Sequence, residues 1–196
     1  MYIMLNFKGL SKWLLGIWLA LQISLCLADN ANSIFLVASE KVQDHTFRRT
    51  VILVTYHKPG WPVGVIINRP DREVTQDNNS PKIFEGKTHF GGPVSPNILT
   101  FVFRGAEQSN EALPILPNIQ MSNSASLLRK LTALSSWERN IRIYRGFSTW
   151  AKGQLEHEIA RGDWLVIEAD EKSIFDKDPA LLWEEMHESA SRKFYL

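Results

Sequence analysis

Apolar residues in this chain fall into short blocks separated by polar, proline-marked and glycine-marked intervals. The period inside each block predicts its element. Residues 34–38 (I-F-L-V-A) and 50–56 (T-V-I-L-V-T-Y) are nearly continuous in apolar and β-branched side chains, the pattern of strands covered on both faces. Residues 63–68 read as a third strand, stopped by Pro70, because proline has no N–H to give a ladder. Between the first two strands, 39–49 is polar except for Val42 and Phe47, and 71–87 is a long polar loop. Residues 89–94 predict a strand running into a glycine turn, and 99–103 another strand. Residues 113–117 (L-P-I-L-P) are extended, since each proline disfavours helix in the residue before it. Helical spacing first appears at 124–134, where Leu127, Leu128, Leu131 and Leu134 share a face and Asn123 and the serines offer caps. Residues 141–147 return to strand. Ala151, Leu155 and Ile159 stand at i, i+4 and i+8, which predicts a short helix over 151–161, and Gly162 suits the left-handed position past its end. Residues 164–169 form the last strand. Asp178-Pro179 opens a final helix to about Arg192, with Asp as N-cap and Pro at the first helical position. Strands dominate the first half and helices are interspersed later. That order predicts an α+β fold rather than a regular βαβ winding.

The first 28 residues follow a different rule. Lys8 and Lys12 are basic, no acid precedes Asp29, 13–27 is apolar except for Gln22 and Ser24, and small side chains stand at Cys26 and Ala28. A basic start, an apolar run and a small-x-small end describe a secretory signal cleaved after Ala28. The rival reading is an uncleaved membrane anchor over 10–27, although a spanning helix needs about 20 apolar residues. On the first reading residues 29–196 are a single domain large enough for its own core, exported to the periplasm or secreted. Cleavage removes two of the 22 basic residues and none of the 21 acidic ones, leaving 20 against 21. So balanced a charge provides no field for phosphates, and no nucleic-acid partner is expected. Cys26 is the only cysteine, so the mature domain has no disulfide, thiol nucleophile or thiolate metal site.

Familiar catalytic motifs are approached and missed. Gly86-Lys87-Thr88 resembles the end of a phosphate loop, but Pro81 stands where its first glycine belongs. His157-Glu158 and His187-Glu188 begin a zinc-protease pattern, with Arg161 and Ser191 in place of the second histidine. Residues 146–150 (G-F-S-T-W) lack the closing glycine of a nucleophile elbow. The five histidines show no ligand spacing. No metal or cofactor is implied.

In order along the chain stand F-L-V-A-S, V-Q-D-H-T-F-R-R-T-V-I-L, V-G-V-I-I-N-R-P, H-F-G-G-P-V, G-F-S-T-W-A-K-G-Q-L-E-H-E-I, and G-D-W-L-V-I-E-A-D-E-K-S-I-F-D with W-E-E-M closing. This succession resembles the YqgE/AlgH family across nearly all of residues 29–196. The resemblance implies an α+β fold with a strongly bent or bifurcated mixed sheet, partly barrel-like, ringed by a few short helices. It implies no established activity, and some family members carry a transcriptional-regulator label. The chain departs from the family in its signal-like segment and in Ser39-Glu40, where Met-Pro is common. An exported protein cannot reach a chromosome.

The same blocks supply a candidate pocket. Asp44 and Arg48 lie i, i+4 after the first strand. Asn68 and Arg69 close the third, held by Pro70. Gly91 and Gly92 are expected to leave backbone N–H groups open. Trp150, Gln154 and Glu156 flank the short helix. Brought together, these would make a concave polar site with an aromatic wall. The plainer alternative is that Asp44 pairs with Arg48 or caps a helix, Asn68 and Gln154 satisfy loop backbone, and the glycines make turns. Three functions follow. One is a non-catalytic module that binds a small molecule or a protein, or serves as an accessory. Another is a hydrolase-like enzyme with Asp44 or Glu156 as general base and Arg48 or Arg69 as anion clamp. The third is the regulator of the family label.

Overall fold

The computed structural model describes residues 33–56, 61–70, 87–105 and 107–194. The signal-like segment, the 58–60 turn and most of the 71–87 loop lie outside the described residues.

The two continuous apolar runs form β1 (Ile34–Ala38) and β2 (Val51–Tyr56), joined in an antiparallel meander to β3 (Pro62–Ile66). The last strand, β9 (Trp164–Glu168), pairs with the free edge of β1. The other strands are β4 (Thr88–Phe90), β5 (Val94–Arg104), the hairpin β6 (Leu113–Leu116) and β7 (Ile119–Ser122), and β8 (Ile141–Thr149). Their order is β6-β7-β5-β8-β3-β2-β1-β9, with β4 also beside β8, in parallel, so the sheet is mixed. β8 belongs to both halves. Residues 141–145 pair with β5, and Ser148 and Thr149 pair with β3. Near the ends of the order the sheet approaches itself, since Thr55 Oγ1 donates to the Pro114 carbonyl at 3.5 Å. It is a strongly curled half-barrel with helices around it, the α+β architecture expected from the residues and the resemblance.

Three apolar clusters hold it. The inner one draws on strands from across the sheet, including Phe35, Leu53, Val65, Val102, Met121 and Tyr144. It is closed by Ile174 and Phe175 of α4 (Glu171–Phe175) and Leu182, Trp183 and Met186 of α5 (Pro179–Phe194). On the outer face of β1–β3, Leu36, Ile52, Val54 and Ile66 pack under Trp150, Trp164 and Leu155 of α3 (Gln154–Arg161). Burial on both faces is why β1 and β2 read as unbroken apolar runs. The third cluster lies under α1 (Ala125–Thr132) and α2 (Trp137–Asn140), where Leu128 and Trp137 cover Phe101, Phe103, Ile141 and Ile143.

Several boundaries follow the expected chemistry. The Ser124 side chain caps α1 by accepting from Leu127 N, and Asp178 Oδ1 accepts from Ala180 N at the start of α5. Gly162 ends α3 with φ 81°. α3 starts at Gln154 rather than at 151, because Gly153 has φ 78°, which a helix cannot continue through. β7, α2 and α4 are additions to the sequence reading. α2 and α4 have four and five residues, too few to display a period. In β7 the buried Gln120 breaks the apolar pattern, and its amide is satisfied by Gly105 O, Glu107 O and Ser109 N.

Candidate functional site

The chain must turn sharply between β1 and β2, and the polar residues of 39–49 build that turn. Asp44 Oδ1 accepts from Thr46 N at 2.8 Å and from Phe47 N at 3.2 Å. Just past β3, Asn68 extends the ladder with its side chain: Oδ1 accepts from Val51 N at 2.8 Å and Nδ2 donates to Arg49 O at 3.0 Å. Arg69 lies against the turn. Nη1 donates to His45 O (3.0 Å) and Thr46 O (2.5 Å), and Nη2 to Arg48 O (3.0 Å). Burial holds its pKa below the usual arginine value, with the Arg48 charge adding to the effect and Asp44 opposing it. Asp44, Arg48, Asn68 and Arg69 therefore come together. Their contacts are those of a stapled turn, and the exposed Arg48 side chain lines a shallow 240 Å³ cleft that it shares with Gln43, Arg49 and Trp183.

Trp150 and Gln154 meet Glu158, a residue outside the candidate pocket. Glu158 Oε2 accepts from Trp150 Nε1 at 2.9 Å and from Trp164 Nε1 at 2.8 Å, and Oε1 accepts from Gln154 Nε2 at 2.9 Å. Gln154 Oε1 takes the Ala151 N–H at 3.0 Å. The signal was an acid on a short helix bracketed by two tryptophans. Phe47 touches Trp164 of β9 edge-on, with ring centroids 6.2 Å apart, and both belong to the cluster that Leu155 of α3 covers. Glu156 is exposed. Its charge acts on Tyr56, whose pKa is raised first by burial and then by Glu156.

Gly91 and Gly92 differ from expectation. The Gly91 N–H donates to Arg145 O at 2.8 Å and its carbonyl accepts from Ile66 N at 2.9 Å, so that N–H is not open. A Cβ at Gly91 would stand 2.4 Å from Gly146 O, and one at Gly92 would stand 2.3 Å from Phe147 O. The 91–92 segment crosses β8 at backbone distance, where only glycines fit.

A larger opening lies at the mouth of the curl. The β5–β8 register breaks between Val94/Phe147 and Leu99/Arg145. Five intervals of β5 therefore span what two intervals of β8 cover, and Ser95 there has φ 48°. Beside this bulge is a cleft of about 490 Å³. Its apolar lining is Val63, Ala112, Leu113, Met121 and Phe147, and its polar lining is Thr100, Asn110, Glu111, Ser122 and Asn123. Glu111 is pinned. Its Oε2 accepts from Ser124 Oγ (2.5 Å) and Ser126 Oγ (2.7 Å), and Ser122 Oγ donates to its backbone carbonyl at 2.5 Å. The two hydroxyls hold the Glu111 pKa below the usual carboxylate value, and Lys130 adds to this.

The profile of the AlgH-like family matches residues 35–194. The chain belongs to that family. Among its relatives are a UPF0301 protein of Jannaschia sp. (strain CCS1), 33% identical over 162 residues covering 76% of this chain and 82% of the relative. A UPF0301 protein of Psychrobacter sp. (strain PRwf-1) is 28% identical over 76% of this chain and 84% of its own. The solution structure of the AlgH protein from Pseudomonas aeruginosa is similar, with a TM-score of 0.65 and 26% identity over 86% of this chain and 91% of that one. A crystal structure from Corynebacterium diphtheriae, 22% identical over 81% of this chain and 86% of that one, shares the fold with a TM-score of 0.63.

Within the family fold, none of the nine residues singled out from the sequence lines the larger cleft. Its walls come from β3, β5, β6, β7, β8 and the loop before β6. They are separated in sequence and have no common motif. Among the described residues no group of His, Cys, Asp and Glu is placed to hold a metal.

Proposed function

We propose that this AlgH-like protein is a binding module that takes a small amphipathic molecule in the cleft at the barrel mouth. One observation carries this reading: apolar and polar side chains together line a cleft of about 490 Å³, the size and chemistry of a small-ligand site. The hydrolase-like alternative has less support. Asp44 and Glu156 are both exposed, Asp44 is occupied by its own turn, and Arg69 spends its donors on backbone carbonyls. The regulator reading meets a near-neutral charge, with 22 basic and 21 acidic residues in the whole chain. The basic–apolar–small segment supports the further proposal that the domain works outside the cytoplasm.

A fragment screen on 15N-labelled protein tests the reading. Amphipathic fragments are expected to shift amides of Val63, Leu113, Met121 and Phe147. Ala112→Trp, which fills the cleft, is expected to abolish those shifts while keeping a dispersed spectrum. Shifts confined to the Arg48–Trp183 cleft, or unaltered by Ala112→Trp, would overturn it.

A further inference from the structure

We infer that the barrel-mouth cleft selects a small molecule that carries a cationic nitrogen next to an apolar body. This rests on the reading of that cleft as the binding site and names the ligand chemistry it accepts. Glu111 is the one ionisable side chain among the lining residues. Its Oε2 is fixed by the Ser124 and Ser126 hydroxyls at 2.5 and 2.7 Å. These donors orient the carboxylate and keep it ionised. Among the described residues, the partner of Oε1 is a distant cation, Lys130 Nζ at 4.0 Å, on a side chain 73% exposed. An ion pair at that range between exposed groups contributes little. The cleft therefore carries a fixed negative charge with a weakly held, displaceable counter-ion at its rim.

The remaining lining groups sharpen the selection. Val63, Leu113, Met121 and Phe147 provide carbon and sulfur surface for a hydrophobic body. Asn110 and Asn123 in the polar lining supply amide oxygens that accept from further N–H groups. An ammonium donating to Glu111 Oε1 forms a charge-assisted hydrogen bond and releases Lys130 to solvent. An anionic ligand of the same shape meets Glu111 as a like charge, and a neutral one forgoes the charge-assisted bond.

Three probes of nearly equal shape test this: 2-phenylethylamine, 2-phenylethanol and phenylacetate. Each is titrated into 15N-labelled protein at neutral pH and low salt. The amine is expected to bind at the cleft about tenfold more tightly than the alcohol, and the acid most weakly. Glu111→Gln is expected to bring amine and alcohol within a factor of about two. Lys130→Ala, at an exposed helical position, is expected to strengthen amine binding. Glu168→Gln, an exposed acid outside the cleft, should leave the amine's advantage intact. Equal binding of amine and alcohol to the cleft, or an advantage that survives Glu111→Gln, would overturn the charge selection and leave the cleft standing as a site. Failure of all three probes to shift cleft amides would overturn the cleft reading as well.

Discussion

Gly146 and Gly162 both have positive φ, 71° and 81°, yet they are not equivalent positions. A Cβ at Gly146 would lie 2.3 Å from Gly92 O and 2.9 Å from Val94 O. Those are backbone atoms at the crossing that bends β8, and they cannot yield. At Gly162 the nearest atom is Lys41 Nζ at 3.0 Å, the end of a flexible chain, so only backbone strain remains. Gly162→Val is expected to cost about 1–2 kcal/mol, and Gly146→Ala more than about 4 kcal/mol. Thermal melts rank the two, and equal losses would contradict the distinction. Tyr144, which is 1% exposed, sets a second residue-scale expectation. Burial raises its pKa well above the usual tyrosine value, and Arg142 offsets this only in part. Above pH about 10 the unfolded chain releases this proton while the folded chain keeps it. The stability is therefore full below that pH and declines as pH rises beyond it. Melting temperature is expected to fall through this alkaline range, and Tyr144→Phe to make the fall shallower. Identical slopes would show that Tyr144 does not report its burial.

At the scale of elements, α3 is held to the sheet by polar contacts as much as by its apolar side. Trp150 and Trp164 are 4% and 6% exposed, and both indole N–H groups depend on the Glu158 carboxylate. Glu158→Ala leaves two buried donors without that acceptor, at about 1–3 kcal/mol each. Trp150→Ala is expected to cost roughly 3–5 kcal/mol. The double variant should lose less than the sum of the singles, because one of the two orphaned donors is gone with its tryptophan. Chemical denaturation of the set measures the coupling, and strict additivity would argue against the shared carboxylate. The elements readable from sequence were those whose reason is local: the unbroken runs of β1 and β2, the serine cap of α1, and the Asp178-Pro179 start of α5. β7, α2 and α4 were not readable. Two are single turns, and β7 is a strand because β5 pairs with it and its buried amide is satisfied by the loop between β5 and β6.

For the whole molecule, the proposal that residues 1–28 are a cleaved signal predicts a mature protein of residues 29–196. Mass spectrometry of fractionated cells is expected to find a chain beginning at Asp29 outside the cytoplasm. Intact Met1 in a membrane fraction would favour the anchor instead. What the sequence determined by itself was the α+β class, most strands and helices, the near-neutral charge and the family resemblance, because each depends on residue type at short range. It also marked Asp44, Asn68, Arg69, Trp150 and Gln154 as polar or aromatic groups in special places. Only the tertiary structure showed what they touch: the turn backbone, the end of a ladder and Glu158. The cleft was decided entirely at that level. Its lining comes from five strands and their adjoining loops, brought together by the curl of the sheet beside a register break between β5 and β8. Strand pairing over long separations depends on how one segment fits another, and no local pattern in either segment encodes that fit.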